Sequence, residues 1–218
     1  MNTLTPHVHI LPAGQRRLWN EFRSALPESF VLYGGTAIAL RTGSRQSEDF
    51  DFFTNDAIDA HSLAARLPFL AGAELIQAAP STATFLVDRD GPVKVSYFGG
   101  LTLGRVGAPS ICADTGVRVA SLLDLAAQKV RVIQVRAERK DYSDIATLLD
   151  HGITLPRALG AADALYSDFA PLVSLKALSY FDDGDLADLP EAVKRRLSRA
   201  AAELRATDAV PLASATLT

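Results

Sequence analysis

Two aspartates, Asp49 and Asp51, are the side chains of this sequence with the clearest potential for chemistry. They alternate with Phe50 and Phe52, and successive side chains of a strand point to opposite faces. A strand here would place both carboxylates on one exposed face and both phenylalanines in the core. Neighbouring carboxylates repel each other unless a proton or cation lies between them, and such oxygen ligands suit a hard divalent ion. The pair therefore predicts a site for Mg²⁺ or Mn²⁺.

A glycine pair upstream of these carboxylates has the features of an anion site. Residues 30–33 form a short aromatic and β-branched run, which predicts a buried strand. Gly34 and Gly35 follow it and lack a Cβ, so backbone N–H groups can approach a bulky anion there. Thr36 is suited to begin the next helix, which Gly43 would end. This strand, turn and helix predict a cradle for a polyphosphate.

Each feature also has a simpler interpretation, namely a Gly-Gly turn and two surface aspartates on an edge strand. Taken separately, each favours the simpler interpretation because both patterns are common. The combination favours the phosphate and metal interpretation, because a strand, turn and helix directly precede the acidic strand. Arg41 and Arg45 lie between the glycines and the carboxylates, and the arginine fork matches the edge of a phosphate.

A second group of charged residues interrupts the apolar stripes of two predicted helices. Lys129 falls inside the stripe of a helix over 121–136, which Arg136 extends, and Asp141 and Asp144 occupy core positions of the next helix. A buried charge without a partner is costly, so these residues need partners. In one interpretation a cation and a carboxylate pair and clamp the two helices together. In the other, Lys129 reaches nucleotide phosphates and one of the two aspartates completes the site.

Both constellations carry a family resemblance. The first resembles the signature of AbiEii/AbiGii-type nucleotidyltransferase-like proteins, a branch of the nucleotidyltransferase superfamily that includes toxins of toxin–antitoxin systems. It consists of Gly34-Gly35-Thr36, Arg45, Ser47 and Asp49-Phe50-Asp51-Phe52-Phe53. The second is similar to another signature of the same family, and consists of residues 124–129, Arg136 and residues 140–144. Two motifs in the right order are more specific than either alone.

The resemblance implies a fold, an activity and a set of site residues. The fold is α/β (α+β), with a nucleotidyltransferase-like mixed sheet, flanking helices and a helical C-terminal half. The activity is transfer of a nucleotidyl group from an NTP to an acceptor such as the 3′ end of an RNA, for example a tRNA. A cognate antitoxin is a further implied partner. The implied metal ligands are Asp49 and Asp51, the implied catalytic residues are these two with Lys129 and Asp141, and the implied nucleotide-binding residues are Gly34, Gly35, Thr36, Arg45, Ser47 and Lys129.

One position departs from the expected pattern. Many nucleotidyltransferases place a third metal-binding carboxylate on a strand like the one predicted over 93–98, and here Lys94-Val95-Ser96 stands where a KxD pattern is expected. A hydroxyl at Ser96 adds no charge to a metal site. The departure favours a first alternative, a non-catalytic nucleotide- or partner-binding module on the same fold. A second alternative, a purely structural interaction protein, is favoured only if the charged residues on apolar stripes are internal clamps.

Composition and glycine content predict how the chain is divided into regions. The chain has 218 residues, of which 48% are hydrophobic and 22% charged, and a formal net charge of −3, so any contact with nucleic acid must come from local patches. Glycine becomes scarce from Ser121 onward and the pattern turns helical. We therefore predict an α/β core over 1–116 and a helical region over 117–218 that completes the site.

The remaining expectations concern the two ends of the chain and its location. Residues 1–13 predict an irregular arm, in which His7 and His9 are surface residues because no third ligand accompanies them. The last ten residues are expected to be frayed. No run approaches about 18 apolar residues, so we expect no membrane association and a cytoplasmic location.

Overall fold

The computed structural model describes residues 2–23 and 25–218. The chain forms two compact units, one reaching to Ser121 and including Ser214–Thr218, the other comprising Leu122–Ala213. The boundary expected after residue 116 differs from this division. It would separate the strand Arg118–Val119 from the sheet in which it pairs.

A mixed sheet forms the centre of the first unit, as predicted. Its strands within the described residues are β1 (Thr3–Leu4), β2 (Val31–Tyr33), β3 (Asp49–Phe53), β4 (Glu74–Ala79), β5 (Thr82–Asp88), β6 (Pro92–Phe98), β7 (Ser110–Cys112) and β8 (Arg118–Val119). They lie in the order β1-β7-β8-β2-β3-β6-β5-β4. The pairs β1/β7, β2/β8 and β3/β6 are parallel, and the others are antiparallel. β3 and β6, neighbours near the middle of the sheet, carry Asp49, Asp51 and Ser96.

The α-helices that accompany the sheet within the described residues are α1 (Ala13–Glu21), α2 (Gly34–Thr42) and α3 (Ala60–Arg66). Gly43 ends α2 as predicted, because it adopts a left-handed conformation after the helix. Asp59 caps α3 and accepts a hydrogen bond from the Ser62 amide at 2.8 Å. The expectation that Thr36 begins α2 is wrong, since the helix already begins at Gly34.

Aromatic packing fixes which face of β3 lies in the core. Phe50 and Phe52 are fully buried. Trp19 of α1 and Phe22, the residue that follows α1, pack on them with ring-centroid distances of 6.1 Å for Trp19–Phe50 and 5.4 Å for Phe22–Phe52. Burial of rings of this size is a large apolar contribution to stability. The opposite face of β3, with Asp49 and Asp51, is thereby left partly exposed.

Both ends of the chain are more ordered than expected. In the N-terminal segment, β1 pairs with β7, and His7 and His9 are exposed as predicted. In the C-terminal segment, the Leu217 side chain is buried and its amide donates to the Asn55 side chain at 2.8 Å. The expected fraying of the last ten residues is therefore wrong for this segment, because burial of Leu217 anchors it to the first unit.

The second unit is helical, as predicted. Its helices within the described residues are α4 (Leu122–Val132), α5 (Arg139–Asp150), α6 (Leu155–Leu165), α7 (Pro171–Ala177) and α8 (Glu191–Glu203). The helices α6, α7 and α8 each begin next to a proline, which suits a first turn because proline lacks an N–H. No helix in the described part of the chain is long and apolar enough to cross a membrane.

Candidate functional site

The carboxylate pair lies on one face of the central strands. Asp49 and Asp51 are partly exposed, and the parallel register of β3 and β6 places Lys94 opposite Asp49 and Ser96 opposite Asp51. Opposed residues of neighbouring strands share a face. Ser96 therefore stands beside the carboxylates, at the position where a third carboxylate was expected.

The glycine pair makes close approaches that any other residue would block. Gly34 has a φ of 72°, and a Cβ on it would lie 2.5 Å from Asp51 Oδ2. A Cβ on Gly35 would lie 2.8 Å from Ser47 Oγ and 2.9 Å from Arg45 Nη2. The start of α2 thus comes against the Asp51 carboxylate on one side and against Ser47 and Arg45 on the other. Four of the predicted site residues are brought together with Asp51 in this way.

Two residues near the glycines have side chains engaged in the fold. Thr36 is fully buried and its hydroxyl donates to the main-chain carbonyl of Asp49, which ties α2 to β3. Arg41 donates to the carbonyls of Ala120 at 2.6 Å and Val119 at 2.9 Å. Any contact of Thr36 with a nucleotide must therefore come from its main chain.

Lys94 is a residue of this face that the sequence prediction did not include in the site. Its Nζ lies 3.0 Å from Asp49 Oδ2, and the two side chains are 42% and 38% exposed. The KxS pattern marked Lys94 in the sequence, but its pairing with Asp49 depends on the register of two strands that are far apart in the chain. On the same face, Thr84 donates to the hydroxyl of Ser96 at 3.3 Å.

These residues fit one divalent ion better than two. Asp49 and Asp51 provide two carboxylates, and the Ser96 hydroxyl provides a neutral oxygen. Across residues 2–23 and 25–218, no three His, Cys, Asp or Glu side chains group closely enough to hold a metal ion. Asp88 and Asp90 belong to the hairpin turn between β5 and β6, where Asp88 accepts from the Gly91 amide at 3.0 Å and Asp90 has a positive φ.

The second unit holds a buried charge cluster. Lys129 Nζ lies 2.6 Å from Asp141 Oδ1 and 2.8 Å from Asp144 Oδ2, and the three side chains are at most 6% exposed. Arg136 Nε lies 2.7 Å from Asp141 Oδ2. The interpretation that a cation and a carboxylate clamp α4 to α5 is thus confirmed. The proposed contact of Lys129 with nucleotide phosphates stays a prediction.

The cluster sets the protonation of Asp141. Desolvation would raise the pKa of this buried carboxyl, but the charge of Lys129 and the hydrogen bonds from Arg136 and Lys129 outweigh it and lower the pKa. Asp141 is therefore ionised at neutral pH and suited to hold Lys129 in place. It is a poor candidate for a general acid in this state.

The fold is that of nucleotidyltransferases. MenT4, a nucleotidyltransferase toxin of Mycobacterium tuberculosis H37Rv, is 14% identical and superposes with a TM-score of 0.59, covering 87% of this chain and 83% of MenT4. A solved protein of H. pylori is 20% identical with a TM-score of 0.56, covering 85% of this chain and 91% of that one. At these identities the likeness shows the fold alone.

The family follows from sequence. The chain belongs to the nucleotidyl transferase AbiEii toxin family of type IV toxin–antitoxin systems, whose model matches residues 17–211. An uncharacterized protein of Aquifex aeolicus (strain VF5) is 30% identical over 179 residues, which are 77% of this chain and 85% of that protein. The predicted family and its nucleotidyltransferase-like function in toxin–antitoxin systems are confirmed. Membership implies an NTP substrate, an antitoxin partner and the divalent metal that this class generally uses.

Proposed function

We propose that this protein transfers a nucleotidyl group from an NTP–Mg²⁺ (or Mn²⁺) complex to an acceptor, with the 3′ end of an RNA such as a tRNA as the acceptor class. The observation that carries the proposal is the approach of the α2 N-terminus to the carboxylate face, with no room for a Cβ between Gly34 and Asp51. A helix N-terminus favours phosphate, and paired carboxylates favour a divalent ion, so the two halves of an NTP–metal complex have adjacent sites.

Each residue of the first unit has a role in this proposal. Asp49 and Asp51 hold the divalent ion, which when bound neutralises phosphate charge and orients an in-line attack. The main chain of Gly34, Gly35 and Thr36 cradles the triphosphate. Ser47 and Arg45 lie beside Gly35, where a hydroxyl and a guanidinium donate to phosphate oxygens.

The roles of Lys129 and Asp141 are proposed on the second signature. Lys129 would stabilise charge that develops on the phosphates, and Asp141 would position Lys129 or assist the acceptor hydroxyl. Their contact at 2.6 Å suits the positioning role, since a carboxylate that holds an ammonium also fixes its direction.

A second candidate function is a nucleotide- or partner-binding module without turnover. Ser96 favours it, because this hydroxyl lies beside Asp51 where a third carboxylate would supply charge for a second metal position near the acceptor. Two carboxylates can still hold one Mg²⁺, with water and phosphate oxygens completing its octahedron. The protein would then bind NTP–Mg²⁺ but transfer the nucleotidyl group slowly or not at all.

The proposal is tested by a thermal-shift assay of nucleotide binding and by an assay of nucleotidyl transfer to RNA. Mg²⁺ with each NTP in turn is added to the wild type, to Asp51→Asn and to Asp163→Asn, a control at an exposed position on α6. At a ligand concentration of 100 times Kd, linkage predicts about 2.7 kcal/mol of added stability in the wild type and the control, and none in Asp51→Asn. An equal shift in all three would place the nucleotide elsewhere.

Transfer is followed with α-phosphate-labelled NTPs and total RNA. Label in the RNA that depends on Asp51 supports the nucleotidyltransferase. A shift without any label in RNA supports the binding module instead.

A further inference from the structure

Lys94 places a cation on the carboxylate face. Its ammonium lies 3.0 Å from Asp49 Oδ2, and both side chains keep more than a third of their surface exposed. The pair is set by the parallel register of β3 and β6, which places the two residues directly opposite each other. An ammonium in this place competes with any other cation for the same carboxylate oxygen.

The charges of this face are balanced differently from those of a site with three carboxylates. Asp49 and Asp51 contribute two negative charges and Lys94 one positive charge, while Ser96 contributes none. A divalent ion that approaches Asp49 therefore meets a repelling ammonium, which offsets part of the negative charge of the carboxylate pair. Triphosphate oxygens change this balance, because they attract both the ammonium and the divalent ion.

We propose that Lys94 is a positioning residue that competes with the divalent ion for Asp49, so that metal binds weakly until a triphosphate is present. This inference rests on the proposed function of the site. In the free protein the ammonium holds the Asp49 carboxylate in its rotamer. When an NTP arrives, its phosphate oxygens take over the ammonium, and both oxygens of Asp49 become available to the ion. Metal binding is thereby coupled to nucleotide binding.

The experiment measures Mn²⁺ binding without nucleotide by isothermal titration calorimetry. Lys94→Met keeps the aliphatic stem and removes the charge, and it should bind Mn²⁺ about tenfold more tightly than the wild type, since a nearby ammonium no longer repels a doubly charged ion. Lys94→Arg keeps the charge and should stay close to the wild type. A purely structural lysine would not produce this dependence on charge.

Lys194→Met is the matched control, because Lys194 forms a comparable ion pair with Glu191 at 3.1 Å on α8. Its Mn²⁺ affinity should equal that of the wild type. Equal affinity of Lys94→Met and the wild type would overturn the inference while leaving the metal site intact. Absence of Mn²⁺ binding in every variant would overturn the metal site itself. If Lys94→Met does not fold, Lys94→Gln carries the same comparison.

Discussion

Replacement of Lys129 by methionine separates a structural role of this lysine from a catalytic one. The ammonium is in contact with Asp141 at 2.6 Å and Asp144 at 2.8 Å, and all three side chains are buried. Methionine keeps much of the apolar stem and removes the charge. Asp141 then keeps Arg136 as a cationic partner, with Arg136 Nε 2.7 Å from Asp141 Oδ2, while Asp144 loses its contact with Lys129.

The expected loss follows from this arrangement. Removing one partner of a buried ion pair destabilises a protein by about 3–5 kcal/mol, because a charge is left uncompensated. For a chain of this length, about 2–4 °C of melting temperature correspond to each kcal/mol, so Lys129→Met should melt about 6–20 °C lower. Lys129→Met/Asp144→Asn should recover part of the loss, since it removes one of the two carboxylate charges.

The pH dependence gives a second signature. In the wild type the pKa of Asp141 is lowered, so its contribution to stability is present above the unfolded pKa of about 3.9 and is lost as pH falls through the folded pKa. Without Lys129, desolvation meets less opposing charge and the pKa of Asp141 should rise. The deficit of Lys129→Met should therefore shrink as pH falls from about 7 towards about 4.

The assay is urea unfolding followed by circular dichroism, with NTP–Mg²⁺ binding measured on the same samples. Lys140→Met is the control, because Lys140 pairs with Glu138 at 2.8 Å on the surface, where an ion pair contributes about 0–1 kcal/mol. A loss below about 1 kcal/mol in Lys129→Met, or a deficit that grows on acidification, would refute the clamp. Large destabilisation with unchanged nucleotide binding would end the proposed catalytic role.

Two further predictions concern the first unit. Gly34→Ala should lose stability and NTP binding, because a Cβ there would lie 2.5 Å from Asp51 Oδ2. The control Gly72→Ala has a similar φ of 75° with no atom within 4 Å, so it should show only the conformational penalty of about 1 kcal/mol. Equal urea midpoints and NTP affinities of the two variants would contradict the close approach. Ser96→Asp should raise Mn²⁺ affinity or the transfer rate. It should also lower the stability of the metal-free protein, because Ser96 is only 4% exposed and a buried carboxylate is costly. Slower transfer by this variant than by the wild type would contradict the place of Ser96 beside the metal.

The faces of the site strand were determined by the sequence alone. The alternation of Asp49, Phe50, Asp51 and Phe52 predicts one polar and one apolar face, and burial of the phenylalanines bears this out. The same holds for the charges on apolar stripes, because the helical period places Lys129 in the buried stripe whatever its partner is. Local periodicity is a property of the backbone and needs no tertiary contact.

The partners of these residues were decided by tertiary structure. Lys129 had two possible carboxylates in the sequence, and the packing of α4 on α5 brings it to both. Lys94 meets Asp49 because two strands distant in the chain pair in one register. Leu217 anchors a segment that local composition predicted to fray, since its burial depends on residues far upstream. Such contacts follow from the global arrangement of elements, which local propensity and spacing do not encode.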